Sequence, residues 1–388
     1  MDFAETHEQA QLRQAVAEVA AKYGHAYWLE KARTGGKTRE LWDELGGLGY
    51  LGVGVPEEYG GGGRGIAELA IVCEELAAAG CPLLLVVVSP AICATIIARF
   101  GTEEQRRRWL PGLATGELRM AFAITEPDAG SNAHNLTTTA RHDPATGGWR
   151  VSGRKTYISG VDEAHAVLVV ARSEDAPTGT LRPALVVVPT GAPGFERTPI
   201  QVEITGPEKQ FALFLDDVPV PADAVVGETV EAAIAALFAG LNPERITGAA
   251  LATGIGRYAL GKASSYARER SVWGVPIGSH QGLSHPLAHA AIQVELARLM
   301  TAKAAWLYDS GRDEAAGEAA NMAKYAAAEA GLLALDQAIQ VHGGNGLATD
   351  YGLATLWGAA RLARTAPISR EMVLNFVASH TLRLPRSY

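Results

Sequence analysis

The chain has 388 residues, 48% of them hydrophobic and 20% charged, with a formal net charge of −8. This composition is typical of a globular protein with two or three domains, and the acidic balance argues against a nucleic-acid or anionic-membrane partner. No segment is apolar enough to span a bilayer, the first residues lack the apolar core of a targeting sequence, and the three cysteines show no C-x-x-C spacing, which together predict a cytoplasmic protein without disulfides or a zinc site.

Residues 1–118 have the pattern of an all-helical domain. Apolar residues recur at three- and four-residue spacing, and glycine ends most of the periodic segments. These segments are HEQAQLRQAVAEVAAKYG, TRELWDELGGLG, IAELAIVCEELAAAG and PAICATIIARFG. The glycine run GGGGRG at 60–65 has no strand before it and lacks the spacing of a phosphate-binding loop, so it predicts a turn between helices.

Residues 119–225 change to short β-branched and aromatic runs separated by Gly, Pro, Asp and Thr. The runs are LRMAFAIT, WRVSGRKTYISG, AHAVLVVARS, PALVVVP and QFALFL. Their length and spacing are typical of an all-β unit. We therefore expect a middle β-sandwich or barrel domain.

Residues 226–388 return to long, amphipathic, alanine-rich helices of the kind that pack closely in bundles. The chain is therefore expected to be an α+β multidomain protein, with an N-terminal helical domain, a middle β domain and a C-terminal four-helix bundle. Strands and helices do not alternate, which argues against a Rossmann nucleotide site.

Two segments of the middle region are candidate ligand contacts. In FAITEPDAGSN, at 122–132, a strand ends in a hydroxyl and a Gly-Ser turn whose backbone N–H groups could bind the carbonyls of a flat polar ring. In KTYISG, at 155–160, an aromatic and a hydroxyl side chain could lie against such a ring. The alternative interpretations are a hydrophilic β-turn and a half-buried strand.

Two further candidates lie in the C-terminal region. RERSVWGVPIGSHQ, at 268–281, places an arginine beside a turn, where it could pair with a phosphate. QVHGGNG, at 340–346, contains glycines that would let the backbone approach a ligand, although a helix C-cap explains them equally well.

The order of these four segments resembles the acyl-CoA dehydrogenase family. The matching patterns are TEPxAGS, K-x-aromatic-I-[ST]-G, R-x-x-aromatic-G-x-x-[IL]-x-x-x-Q and Q-x-x-G-G-x-G. LGYLGVGVPEEYGG at 48–61 and GTEEQRRRWLPGLATGE at 101–117 are also similar to the N-terminal region of that family. The resemblance covers essentially the whole chain, and the helix–strand–helix order is the architecture of the family.

The resemblance implies a homotetramer, or dimer of dimers, that binds one FAD per subunit between the β domain and the bundle. It also implies an acyl-CoA substrate and an electron-transferring flavoprotein as electron acceptor. The residues that match flavin or acyl-CoA contacts on the first two motifs are Phe122, Ile124, Thr125, Ser131, Tyr157 and Ser159. Those that match groups reaching the FAD of a neighbouring subunit are Arg270, Trp273, Gln281, Gln340, Gly343 and Gly344. Asn132 stands where aspartate is usual, and Trp273 stands where phenylalanine is usual.

The implied reaction is α,β-dehydrogenation of an acyl-CoA thioester to the trans-2-enoyl-CoA. A carboxylate removes the α-proton while the β-hydrogen leaves as hydride to the flavin N5. Many members place this base in a Y-E-G-T motif near the C-terminus. Here the corresponding segment is RTAPIS, at 364–369, so that Ala366, Pro367 and Ile368 replace the glutamate, glycine and threonine.

Isovaleryl-type and long-chain members instead place the base immediately before an arginine that opens a bundle helix, and that position is Glu244 before Arg245. Pro243 suits the first turn of a helix, where the helix dipole would lower the pKa of Glu244, so burial must outweigh it for a base near neutral pH. The alternative is a glutamate that only caps the helix. Arg245 and Ser131 are assigned to the substrate side, and the backbone N–H of Ala366 is expected to donate to the thioester oxygen.

Other functions remain open at this point. A non-catalytic subunit that binds FAD or acyl-CoA would also explain the absent glutamate, and a dehydrogenase or oxidase could act on a biosynthetic or carrier-protein thioester. His285 and His289 could share a helix face, but no third ligand is near in sequence, so no metal site is predicted.

Overall fold

The computed structural model describes residues 4–174, 181–227 and 230–385. Its N-terminal part is helical, as expected. The helices are α1 (His7–Thr34), α2 (Arg39–Gly47), α3 (Ile66–Ala78), α4 (Leu84–Val86), α5 (Thr95–Phe100) and α6 (Glu103–Thr115). Capping boxes at Thr6 and Thr102 begin α1 and α6 by satisfying backbone N–H groups that a helix leaves free. A π-helical stretch, Val87–Ala94, joins α4 to α5, and the 60–65 glycine run forms the predicted turn before α3.

The middle part is one curled seven-stranded sheet. Its strands are β1 (Met120–Ala123), β2 (Thr139–Asp143), β3 (Gly148–Ser159), β4 (Ala166–Glu174), β5 (Leu181–Pro189), β6 (Phe195–Ile200) and β7 (Gln210–Val220). The strand order is β1-β4-β2-β3-β7-β6, with β5 paired to β4 and with β1 parallel to β4. Both faces are buried along β4, because Leu168 and Val170 pack against the helices while Val167 and Val169 pack inside the curl of the sheet.

The C-terminal part is a helical domain built on three long helices. A two-stranded hairpin of β8 (Ser271–Val272) and β9 (Val275–Pro276) connects the first long helix to the second. The helices are α7 (Val230–Glu269), α8 (Gln281–Asp309), α9 (Asp313–His342), α10 (Trp357–Leu362) and α11 (Arg370–Phe376). The expected fourth bundle helix is thus represented by the short α10 and α11, with segment 364–369 between them.

One expectation about this domain is wrong. Pro243 does not begin a helix, because α7 already starts at Val230 and contains Pro243 in its interior. None of the helices in the described ranges is long and apolar enough to cross a membrane. We keep 1–118, 119–225 and 226–388 as the proposed domain boundaries.

Candidate active site

The first two motifs are adjacent in the sheet domain. The Thr156 N–H donates to Thr125 O at 3.0 Å, and the Lys155 ammonium donates to Ile124 O at 3.0 Å and to Glu126 Oε1 at 2.9 Å. The side chains of Lys155 and Glu126 are almost fully buried. This ion pair therefore fixes the end of β1 against β3.

Glu126 is a structural carboxylate rather than a base. Burial raises its pKa, but hydrogen bonds from Thr138, Thr137 and Lys155 outweigh that effect and lower the pKa to about 2. Burial in turn lowers the pKa of Lys155 to about 8, against the attraction of Glu126. A carboxylate with so low a pKa has little affinity for a proton at neutral pH.

Tyr157 projects from a bulge in β3. Its register with β7 shifts between Lys155 and Ile158, and Tyr157 has a positive φ of 57°, which is unusual for a bulky residue. The side chain is 63% exposed. Residues held in such conformations cluster at ligand sites, so the bulge provides an aromatic platform at this edge of the sheet.

The other predicted contacts of the sheet domain lie at the end of β1, in the turn after it and at the end of β3. Phe122 is buried at the end of β1, Ile124 and Thr125 are half-buried after it, and Ser131 is exposed in the following turn. The Ser159 hydroxyl exchanges hydrogen bonds with the Gln210 side chain at 2.9 and 3.1 Å. Hydroxyl groups and an exposed ring thus occur together, as a flat polar cofactor requires.

The second pair of motifs meets at one end of the bundle. Tyr266, near the end of α7, stacks on His342 at the end of α9, with ring centroids 4.2 Å apart. Trp273 lies at the tip of the β8–β9 hairpin, is 88% exposed and contacts His280 edge-on. Gly343 has a φ of 58°, and a Cβ added there would meet no atom within 4 Å.

The remaining residues of this group lie at the same end. Arg270 follows α7, Gln281 opens α8, Gln340 lies in the last turn of α9 and Gly344 follows that helix. All four are exposed. Within the described ranges, no hydrogen bond, salt bridge or ring contact joins this group to the sheet-domain group. An exposed set of this kind can reach a ligand held by a second copy of the chain.

Glu244 lies in the interior of α7, fourteen residues after the helix begins. The helix dipole expected to lower its pKa is therefore not at this position. Burial raises the pKa of Glu244 to about 7, although the charges of Arg245 and Lys324 act in the opposite direction. The geometry thus places a carboxyl group that exchanges its proton near neutral pH at the α7–α9 interface.

Segment 364–369 lies over the same face of α7. Gly248 is one turn beyond Glu244, and a Cβ added to it would lie 4.0 Å from Cδ of Pro367. Helical residues four apart share a face. The segment with Ala366 in the usual place of the base therefore lies close to the candidate that replaces it.

The expected role of the Ala366 N–H does not agree with the geometry. This N–H donates to Leu362 O at 2.9 Å, in the turn that follows α10. Its hydrogen is therefore already bound within the chain, so we do not assign it to the thioester oxygen.

Arg245 is half-buried beside Glu244. Its Nη1 donates to Asn242 Oδ1 at 2.9 Å, whereas its buried Nε has no hydrogen-bond partner among the described residues. Burial lowers its pKa, and Glu244 opposes that change. Arg245 therefore keeps a buried, unused N–H donor next to the candidate base.

Sequence reasoning missed Lys324. This α9 residue is 2% exposed, and its ammonium donates to Ile368 O in segment 364–369. The available signal was a lysine within an alanine-rich, apolar stretch of the helix. His285 and His289 have no companion ligand, since the described residues contain no cluster of three metal-binding side chains.

Three family models match the chain in order. They are the acyl-CoA dehydrogenase N-terminal domain over residues 6–117, the middle domain over 121–218 and the C-terminal domain over 234–382. Together they span most of the sequence.

Relatives and solved structures agree with these matches. Acyl-CoA dehydrogenase FadE12 of Mycobacterium tuberculosis is 64% identical over 386 residues, which cover all of this chain and 99% of that protein. The structure of butyryl-CoA dehydrogenase from Megasphaera elsdenii has a TM-score of 0.92 at 28% identity, covering 99% of this chain and all of the other. Glutaryl-coenzyme A dehydrogenase in its glutaryl-CoA complex has a TM-score of 0.91 at 28% identity and covers all of this chain and 98% of the other.

Proposed function

The chain belongs to the acyl-CoA dehydrogenase family and is an oxidoreductase of that type, and we propose that it converts an acyl-CoA thioester to the trans-2-enoyl-CoA with Glu244 as the base. The carboxylate of Glu244 takes the α-proton, and a carbon–carbon double bond forms as the β-hydrogen departs with its electron pair. FAD, the cofactor of this family, supplies the acceptor for that hydride when bound.

One observation supports Glu244 above all. It is a half-buried carboxyl group whose pKa is raised to about 7, on the face of α7 that contacts the segment where the family usually keeps its glutamate. A general base works best when its pKa lies near the operating pH. Arg245, with its unpartnered Nε, can stabilise charge on the substrate side of this carboxylate.

The residues present fit FAD. The Thr125 and Ser159 hydroxyls, the exposed Tyr157 ring and the end of β1 at Phe122 and Ile124 suit a flat ring system with polar edges. On this proposal Ser131 contacts the cofactor or the thioester, and the hairpin and glycine group contacts the FAD of a neighbouring subunit. That group consists of Arg270, Trp273, Gln281, Gln340, Gly343 and Gly344.

Anaerobic flavin reduction tests the assignment. The purified protein is mixed with a panel of acyl-CoA thioesters, and bleaching of the flavin absorbance is followed in the wild type and in Glu244→Gln. We expect the variant to be slower by roughly 10²–10⁴-fold, the usual contribution of a general base. Glu314→Gln, at an exposed position of α9, is the matched control and should bleach like the wild type.

The other outcomes separate the alternatives. Equal rates in Glu244→Gln and the wild type would remove Glu244 from the mechanism. A wild type that retains FAD but is not bleached by any CoA thioester would favour either a non-catalytic subunit or an enzyme for carrier-protein thioesters. Carrier-protein thioesters are then added in the same assay to separate these two alternatives.

We also propose that the protein is a homotetramer that passes electrons to an electron-transferring flavoprotein. Exposed apolar side chains follow one face of α8, where Ile292, Leu296 and Trp306 are 58%, 55% and 53% exposed. An apolar face of this kind marks a protein interface. The cytoplasmic location stays a prediction.

A further inference from the structure

Segment 364–369 is tethered to α9 at both ends. Arg364 donates through Nη2 to Glu329 Oε2, and Nη1 of Arg370 lies 3.6 Å from Oε1 of the same carboxylate. Lys324, five residues earlier on α9, donates to the carbonyl oxygen of Ile368. The helix therefore holds the segment at Arg364 and Ile368, and holds the residue that follows it, Arg370.

Lys324 is the unusual member of these contacts. Arg364 and Arg370 have a carboxylate partner, whereas no carboxylate lies within 4.0 Å of the Lys324 ammonium in the described ranges. Burial lowers its pKa to about 8, helped by Arg245, while Glu371, Glu329 and Glu244 act in the opposite direction. Burying an ammonium without a direct counter-ion is costly, and at a purely structural position a neutral side chain would serve better.

The same ammonium lies within electrostatic range of Glu244. The charged and titratable groups around Glu244 are Arg245 on its own helix, Lys324 on α9 and the Cys93 thiol on the π-helical stretch. Arg245 is adjacent in sequence and is bound to Asn242. Of these three groups, Lys324 is therefore the one that acts on Glu244 through its charge and also donates a hydrogen bond to segment 364–369.

We propose that Lys324 is a positioning residue: its ammonium holds the Ile368 carbonyl so that segment 364–369 stays packed over the face of α7 that carries Glu244. The positive charge held at this place also favours the carboxylate form of Glu244. The second half of this inference rests on the proposed role of Glu244. The first half concerns the segment alone. Lys324 itself exchanges no proton with the substrate.

Two variants separate charge from packing. Lys324→Met removes the charge and the hydrogen-bond donor while keeping a long apolar stem, and Lys324→Arg keeps the charge. Lys22→Met, at an exposed position of α1, is the control. All three are compared with the wild type as FAD-loaded protein.

Hydrogen–deuterium exchange reports on the segment. In Lys324→Met, the peptide covering 364–369 should exchange roughly tenfold faster, as loss of one charge-assisted hydrogen bond implies. Exchange in Lys22→Met should match the wild type. Because this readout needs no substrate, it tests the tether even if Glu244→Gln shows that the base lies elsewhere.

The pH dependence of kcat/KM reports on the charge. Without the Lys324 cation the carboxylate of Glu244 is less favoured, so the acid limb should move up by about 0.5–1 pH unit in Lys324→Met. Lys324→Arg should leave that limb in place. A merely structural lysine would change the rate at all pH values without moving the limb.

Several outcomes would overturn the inference. It is wrong if Lys324→Met leaves both the exchange rate and the acid limb as in Lys22→Met. It is also wrong if Lys324→Arg shifts the limb as far as Lys324→Met does. If Lys324→Met does not fold, Lys324→Ala, which also removes both the charge and the donor, takes its place in both measurements with the same expectations.

Discussion

Glu244 shows how a residue's surroundings decide its chemistry. At a helix N-terminus its pKa would lie below the ordinary value, and it would bind protons weakly at neutral pH. In the interior of α7, half-buried among neighbouring helices, the same carboxyl group has its pKa raised to about 7 by desolvation. The sequence indicates the residue correctly as a titratable candidate, but only the helix boundaries reveal which effect dominates.

The raised pKa of Glu244 predicts a pH-dependent stability. Between its unfolded pKa and its folded pKa near 7, the folded state holds a proton that the unfolded chain has lost, so stability falls as pH rises through this window. Glutamine has no proton to lose in this range, so the stability of Glu244→Gln does not fall in this way. We expect it to raise the free energy of unfolding by on the order of 1–3 kcal/mol at pH 8, and by much less at pH 5.

Denaturant unfolding of the two proteins at both pH values measures this difference. Glu314→Gln, which changes an exposed carboxylate, should show no such trend. A stabilisation of Glu244→Gln that is the same at pH 5 and pH 8 would contradict the raised pKa.

Helix α7 approaches α3 of the N-terminal domain so closely that a single glycine decides the spacing. A Cβ added to Gly254 on α7 would lie 2.4 Å from Glu74 O of α3, whereas one added to Gly261, two turns later, would meet nothing within 4 Å. Gly254→Ala must therefore push the two helices apart. We expect a loss of about 2–4 kcal/mol in the free energy of unfolding, in the range of overpacked cores.

Gly261→Ala is the control on the same helix. Alanine is a better helix former than glycine, so this change should stabilise the protein by about 0.5–1 kcal/mol. Thermal and denaturant unfolding distinguish the two cases. Equal effects of the two substitutions would show that α3 and α7 are not in the close contact described.

Elements with strong apolar patterns are predictable from the sequence, and those without them are not. AHAVLVVARS predicts β4, which is buried on both faces. β2 and β6 were missed because they are short and largely polar, and β6 is an edge strand whose central side chains face solvent. Pro243 suggested a helix start, but packing of α7 against α3 and α9 keeps the helix continuous across it.

The residues of the candidate site also divide into those that the sequence predicts and those that it does not. The motifs at 122–132 and 155–160 are marked by local sequence, and their hydrogen bonds place them side by side. The tether of segment 364–369 could not be foreseen, because Lys324 and Ile368 are 44 residues apart and only the return of α9 beside α11 brings them together. Long-range contacts of this kind leave no periodic signal in the chain.

At the scale of the whole molecule, the N- and C-terminal helices share one hydrophobic core, and one face of the sheet completes it. A buried ionic network adds to this union, since Glu74 on α3 accepts from Arg13 on α1 at 3.1 Å and from Arg257 on α7 at 2.9 Å. The described subunit is therefore a single packed body. On the surface of this body, the apolar face of α8 is left exposed to solvent.

That face predicts an obligatory assembly. Leu296 lies in its centre, between Ile292 and Leu299, and burying such side chains contributes about 1.5–3 kcal/mol each. Leu296→Asp should shift the protein to smaller species in light scattering. Since the hairpin and glycine group is proposed to contact a neighbouring subunit's FAD, the variant should also lose flavin on dilution.

Leu48→Asp changes an equally exposed leucine of the N-terminal domain and should keep both assembly and flavin. Full assembly of Leu296→Asp would mean that α8 faces solvent in the oligomer, and flavin loss without disassembly would separate cofactor retention from this interface.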